Sequence, residues 1–155
     1  MTTTQTAAAG WLAHSHPRPA EVYRDWNDRN ASMLPAGTRW DAIKLLSNKV
    51  AADYVLELLQ QLGLEGPLSH DPMSGAFYVL VPLGSAASWN RQGTEVLSSG
   101  SYLVTPPPDR TQPPGPYWLI PPDGDGQLTD PDFLRNALNI VWISGMPCTM
   151  RQANQ

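Results

Sequence analysis

One histidine in this chain stands directly beside a carboxylate: His70, followed by Asp71. An imidazole held near an acid is a common way to build a proton-transfer group that titrates near neutral pH. His70 with Asp41 or Glu95 is therefore the acid–base set that this sequence could turn on a nucleotide or small-molecule substrate. The competing reading of the dipeptide is local. Asp71-Pro72-Met73-Ser74-Gly75 places Pro and Gly where a turn between antiparallel strands needs them, so Asp71 reads first as a turn residue.

The remaining chemistry-bearing groups are sparse. His14 and His16 stand two apart in a Thr- and Ala-rich stretch and read as solvated imidazoles rather than ligands. Cys148 is the single cysteine, which excludes an intramolecular disulfide and a cysteine-based zinc site. Asp123-Gly124-Asp125-Gly126 reads as a turn, because a calcium loop needs wider ligand spacing and a distal Glu. No serine lies in a Gly-x-Ser-x-Gly elbow, and no glycine-rich phosphate loop is present. No metal ligand set and no cofactor is assigned.

What the sequence has in surplus is aromatic. Trp40, Trp89, Tyr102, Tyr117 and Trp118 fall on or beside strand-like text, where aromatics commonly serve as packing. The functional alternative is a binding surface of Trp89, Arg91, Arg110, Tyr117 and Trp118. Single-strand nucleic-acid binders combine such rings with a positive groove, and here only Arg91 and Arg110 are near enough to supply charge. The loop PPPDRTQPPGP offers a protein partner a preformed extended ligand.

The elements that must position these residues are legible in part. Pro19 to Asn30 reads as a helix with Val22, Tyr23 and Trp26 in its apolar stripe. Arg39 to Leu46 alternates as a strand, with Trp40 and Ala42 on one side and Asp41 and Ile43 on the other. Ala51, Val55, Leu58, Leu59 and Leu62 follow the helical period, and Gly63 supplies a left-handed stop. Ala76 to Val81 is continuously apolar, as in a central strand covered on both faces. Tyr102–Thr105 and Tyr117–Ile120 read as further strands, each stopped by prolines that cannot donate to a ladder. Asp130-Pro131 opens a last helix as N-cap and first residue. The expected fold is α+β: a mostly antiparallel sheet of four to five strands with about three helices, near 19–30, 49–62 and 131–143. Residues 1–17 read as a flexible tail, 18–147 as one domain and 148–155 as a frayed end.

Bulk composition narrows the function classes. The 155 residues carry 41% hydrophobic and 15% charged side chains, enough apolar content for one core. Ten basic and 14 acidic residues give a net charge of −4, and the basic ones are scattered, which argues against phosphate-dominated nucleic-acid binding. No apolar run reaches membrane-spanning length, and the N-terminus lacks the charged start of a signal peptide, so a cytoplasmic protein is expected.

Motif order adds two resemblances. From about Pro19 to Leu138 the chain resembles a group of small actinobacterial, Streptomyces-type proteins. The likeness rests on LPAGTRWDAIKL, GPLSHDP followed by FYVLVP, SGSYLVTPPPDRTQPPGPYWLIPP and the closing LTDP helix. It implies no particular activity. Gly66 to Pro122 is also similar to the catalytic half of the bifunctional DNA primase–polymerase domain of archaeo-eukaryotic type. In that family a Ser- or Gly-bearing turn precedes a strand with a catalytic His, and a later acidic strand leads into Gly-Gly-Tyr-Val-Val-x-Pro-Pro-Ser. The corresponding text is Ser74-Gly75-Ala76-Phe77-Tyr78 and Gly100-Ser101-Tyr102-Leu103-Val104-Thr105-Pro106-Pro107. Phe77 stands at the histidine position, Asp41 alone at the Asp-x-Asp position, and Glu95 at best at the later acidic one. Two-metal nucleotidyl transfer needs several carboxylates around ions roughly 4 Å apart. The resemblance thus implies a primase/polymerase-like half domain stripped of its chemistry. The expectation is a non-catalytic binding or regulatory protein that engages a protein partner through its aromatic and proline-rich surface. A small enzyme using His70, and a single-stranded nucleic-acid binder, are the alternatives.

Overall fold

The computed structural model describes residues 3–46, 57, 59–91 and 93–145. Helices α1 (Thr3–Ala13) and α2 (Pro19–Asn27) lead into β1 (Ser32–Pro35) and β2 (Trp40–Leu46). The strands β3 (Leu68–Asp71), β4 (Ala76–Pro82), β5 (Thr94–Leu97), β6 (Tyr102–Thr105) and β7 (Tyr117–Ile120) follow, and α3 (Pro131–Gly145) comes last. Five strands form one antiparallel sheet in the order β5-β2-β4-β3-β7, while β1 and β6 pair only with each other as a separate ribbon. The fold is α+β and mostly antiparallel, with seven strands in two sheets among the described residues.

β4 is the middle strand of the five, as its unbroken apolar run predicts. Phe77, Val79 and Val81 join Ile43, Leu45 and Leu68 on one face, beneath Leu134, Ala137 and Leu138 of α3 and Leu59. Leu80, Trp40, Ala42 and Trp118 occupy the other face, covered by Ala9, Leu12 and Ala13 of α1, Val22 and Trp26 of α2, and Leu34 and Leu103 of the ribbon. Strand alternation assigns these faces, since successive side chains point to opposite sides.

Local chemistry sets the boundaries. Asp130 Oδ1 accepts from Asp132 N–H at 3.1 Å, capping a helix whose first residue is Pro131. Residues 57 and 59–62 are helical, and Gly63 at φ +99° ends that segment. Leu64 N–H donates to Leu59 O at 2.9 Å and Gly63 N–H to Gln60 O at 3.0 Å, the paired bonds of a Schellman stop. The rest of the helix expected near 49–62 lies outside the described residues, as do residues 146–155. Asp71 makes the predicted turn: its Oδ1 accepts from Met73 N–H at 3.0 Å and its Oδ2 from Ser74 Oγ–H at 3.1 Å.

The structure departs from the sequence reading at the N-terminus. Where a flexible tail is expected, residues Thr3–Ala13 form α1, which packs Ala8, Ala9, Leu12 and Ala13 into the interior. Alanine needs little side-chain ordering in a helix and lets α1 approach α2 closely, so a stretch without a broad apolar stripe still docks. The two chain passages between main sheet and ribbon also meet. Gly37, between β1 and β2, has φ +80°, and a Cβ there would stand 2.3 Å from the backbone nitrogen of Ser99 between β5 and β6. Only glycine permits both that backbone and that approach.

Candidate functional site

The acid–base trio is not assembled. Asp41 is fully buried, and both of its carboxylate oxygens accept hydrogen bonds. Gly84 N–H and Ala86 N–H each donate to Oδ2 at 3.0 Å, and Ser98 Oγ–H donates to Oδ1 at 3.0 Å. Asp41 thereby anchors the short 3₁₀ turn Ser85–Ser88 and the end of β5 to β2. His70 lies opposite Phe77, which lies opposite Leu45. Four residues along β2 and two strands across separate it from Asp41, on the order of 16 Å from strand geometry. Glu95 pairs with Lys44, so it projects from the opposite face, 3.8 Å from the Lys44 ammonium.

His70 has packing partners of its own. Its ring lies 4.5 Å from that of Phe77, tilted by 32°, and its Nδ1 lies 3.1 Å from the Tyr117 hydroxyl. Burial lowers the His70 pKa from its ordinary value, against a smaller upward pull from Asp71. The folded state therefore holds fewer protons here than the unfolded chain. The stability this contributes is present above the unfolded-state value near 6.5 and is lost as pH falls through the lowered folded value. Melting temperatures followed from pH 7.5 to pH 5 should decline less in His70→Gln than in the wild type. Parallel curves would show that the site is indifferent to its proton.

The five residues expected to form a binding surface fall into separate neighbourhoods. Trp118 is 1% exposed in the core beneath α1 and α2, and its Nε1–H donates to Pro106 O at 3.1 Å. Its neighbour Tyr117 points to the other face of the sheet, beside His70. Arg110 holds the proline loop, donating to Arg29 O, while its own carbonyl accepts from Trp118 N–H at 2.9 Å. Trp89 is buried on the α3 side, donates to Thr94 Oγ1 at 2.9 Å, and carries the Arg135 guanidinium 5.3 Å from its ring centre. Arg91 reaches Asn139 on α3, and its Nε is buried without a hydrogen-bond partner among the described residues. Trp89 and Arg91 on one side of the sheet, and Trp118 and Arg110 on the other, share no common surface.

An exposed apolar surface does exist, on the ribbon. Register sets Met33 opposite Val104 and Pro35 opposite Tyr102, so all four occupy one face, while Leu34 and Leu103 occupy the inner one. Met33 is 55% exposed, Tyr102 57% and Val104 46%. Ala36 N–H donates to Ser101 O, which fixes the phase of the ladder and turns the N–H and C=O groups of Tyr102 and Val104 to the open edge of β6. A cleft of about 470 Å³ adjoins this face, lined by His14, Ser15, His16, Pro17, Arg18, Pro35, Thr38 and Tyr102.

The sequence marked Tyr102 only as one aromatic among several, and read His14 and His16 as solvated. Nothing local says that the loop after α1 returns to the ribbon, because that depends on α1 docking. Among the described residues no group of three or more His, Cys, Asp or Glu side chains could hold a metal ion, and no helix is long and apolar enough to cross a membrane. No family model matches the chain, and neither a curated protein nor a solved structure does.

Proposed function

We propose that this is a non-catalytic binding or regulatory protein that engages a protein partner through the outer face of the β1–β6 ribbon. The observation that carries the reading is the contiguous exposure of Met33, Tyr102 and Val104 beside Pro35 on that face. Large apolar side chains gathered on one small surface favour burial against another chain, and the unpaired edge of β6 offers backbone groups for strand addition. This surface keeps the aromatic and proline character expected from the sequence but shifts it from Trp89 and Trp118, which serve packing, to Tyr102 and Pro35.

The kinship with a degenerate primase–polymerase half domain, and with Streptomyces-type proteins, belongs to the same proposal. Its support is the mostly antiparallel sheet and the motif order; buried Phe77 at the histidine position and the dispersal of Asp41 and Glu95 over two faces support only the non-catalytic part of the reading.

The test is affinity capture with wild-type bait, with the Tyr102→Glu/Val104→Glu double variant, and with Arg110→Ala. A specific partner should be held by wild type and by Arg110→Ala, and lost about tenfold or more by the double variant, as expected for charge at an apolar contact centre. Retention by the double variant would remove the ribbon face from consideration.

A further inference from the structure

We infer that the cleft between the α1–α2 connection and the ribbon is a binding site for a small oxyanion-bearing molecule, a carboxylate or phosphate attached to a flat or apolar part. This goes beyond partner docking and does not depend on it. The cleft's volume of about 470 Å³ falls within the range of small-ligand pockets. The decisive feature is its donor chemistry. Arg18, His14, His16, Ser15 and Thr38 line it, and no carboxylate does, although the whole chain carries a net charge of −4.

Internal hydrogen bonds fix Ser15, His16 and His14. Ser15 is 1% exposed, and its Oγ accepts from Trp40 Nε1–H at 2.8 Å, which leaves the hydroxyl hydrogen without an acceptor among the described residues. A buried donor left unmatched is costly, and an anionic oxygen is its strongest complement. His16 Nδ1 accepts from Arg18 N–H at 2.9 Å, so the neutral ring carries its proton on Nε2 and presents a donor. His14 is held by the approach of its Nδ1 to Gly10 O at 2.6 Å. Arg18 contacts Glu21 at 3.2 Å, but the Arg18 side chain is 72% exposed and that of Glu21 44%, and such a solvent-screened pair gives way to a better-placed anion. Pro17, Pro35 and the Tyr102 ring form the apolar walls that would hold the rest of the molecule.

Benzoate, phenyl phosphate and uncharged benzamide, titrated into the full chain, separate the possibilities. Trp40 indole N–H is the reporter, since it bonds to Ser15 and is read directly by nitrogen–proton NMR. At least one anion should shift that resonance saturably, and benzamide should bind about tenfold more weakly or not at all. The tighter of the two anions identifies the carboxylate or the phosphate as the preferred group. Arg18→Gln and His16→Phe should each weaken binding by roughly three- to tenfold, since each removes one charged or donor contact. Arg135→Gln, beyond the sheet on α3, should leave it unchanged. Absence of a saturable shift with either anion up to about 20 mM, equal affinity for benzamide, or unaltered affinity in both cleft variants would overturn the assignment.

Discussion

Replacing Trp118 with alanine should destabilise the protein by about 5 kcal/mol and lower its melting temperature by on the order of 15 °C. Trp118 is among the largest fully buried side chains and joins β7 to α1, α2 and the ribbon through one cluster. Alanine would leave a cavity at that junction, where removal of a buried indole costs about 3–5 kcal/mol. It would also strand Pro106 O, which accepts the indole N–H, adding about 1 kcal/mol. Trp118→Phe should recover most of the packing but not the hydrogen bond. Thermal and denaturant unfolding of the two variants measures both terms. A loss below about 1 kcal/mol for the alanine would mean that the ring lies at a surface rather than in the core.

Asp41→Ala should cost about 4 kcal/mol, because three donors lose their acceptor at once. Gly84 N–H and Ala86 N–H would lose the acceptor they share at the start of the 3₁₀ turn, and Ser98 would lose its tie to β2. Asp41→Asn should be milder. Its carbonyl oxygen can serve the two amides, while its NH₂ faces Ser98, whose hydroxyl can rotate to accept. Denaturant titration should therefore order the three proteins wild type, Asn, Ala. A variant that unfolded like the wild type but lost a catalytic rate would recast this buried acid as a reacting group.

The parts of the fold that could be read from the sequence are those in which a residue acts on its own neighbours. Asp130 caps the helix that Pro131 begins, Gly63 ends a helix in the left-handed region, and Asp71 closes its own turn. The apolar run of β4 announced a strand covered on both faces, and its central place follows from that burial. What the sequence could not convey is long-range pairing. β6 resembles the other strands in composition, yet it leaves the main sheet to join Ser32–Pro35, four residues too short to show a pattern. For the same reason Tyr102 and Trp118 could not be told apart in advance. Both are strand aromatics, but one lies on an open ribbon and the other under two helices. The candidate site depends on these non-local decisions, since its cleft exists only once α1 folds and its following loop meets the ribbon.

Phe77 sits on β4, the middle strand of the main sheet. It is fully buried and stacks on His70, so the position holds packing, and a histidine placed there would lie in the core without Asp41 or Glu95 in reach.

The measurement that bears most directly on the central claim is site-specific photocrosslinking in the native cell, with a benzophenone side chain placed at Val104, at Arg110 or at His70 in separate proteins. Engagement through the ribbon requires a protein adduct from position 104 and none above background from 110 or 70. Adducts confined to 110 or 70, with position 104 silent, would contradict it.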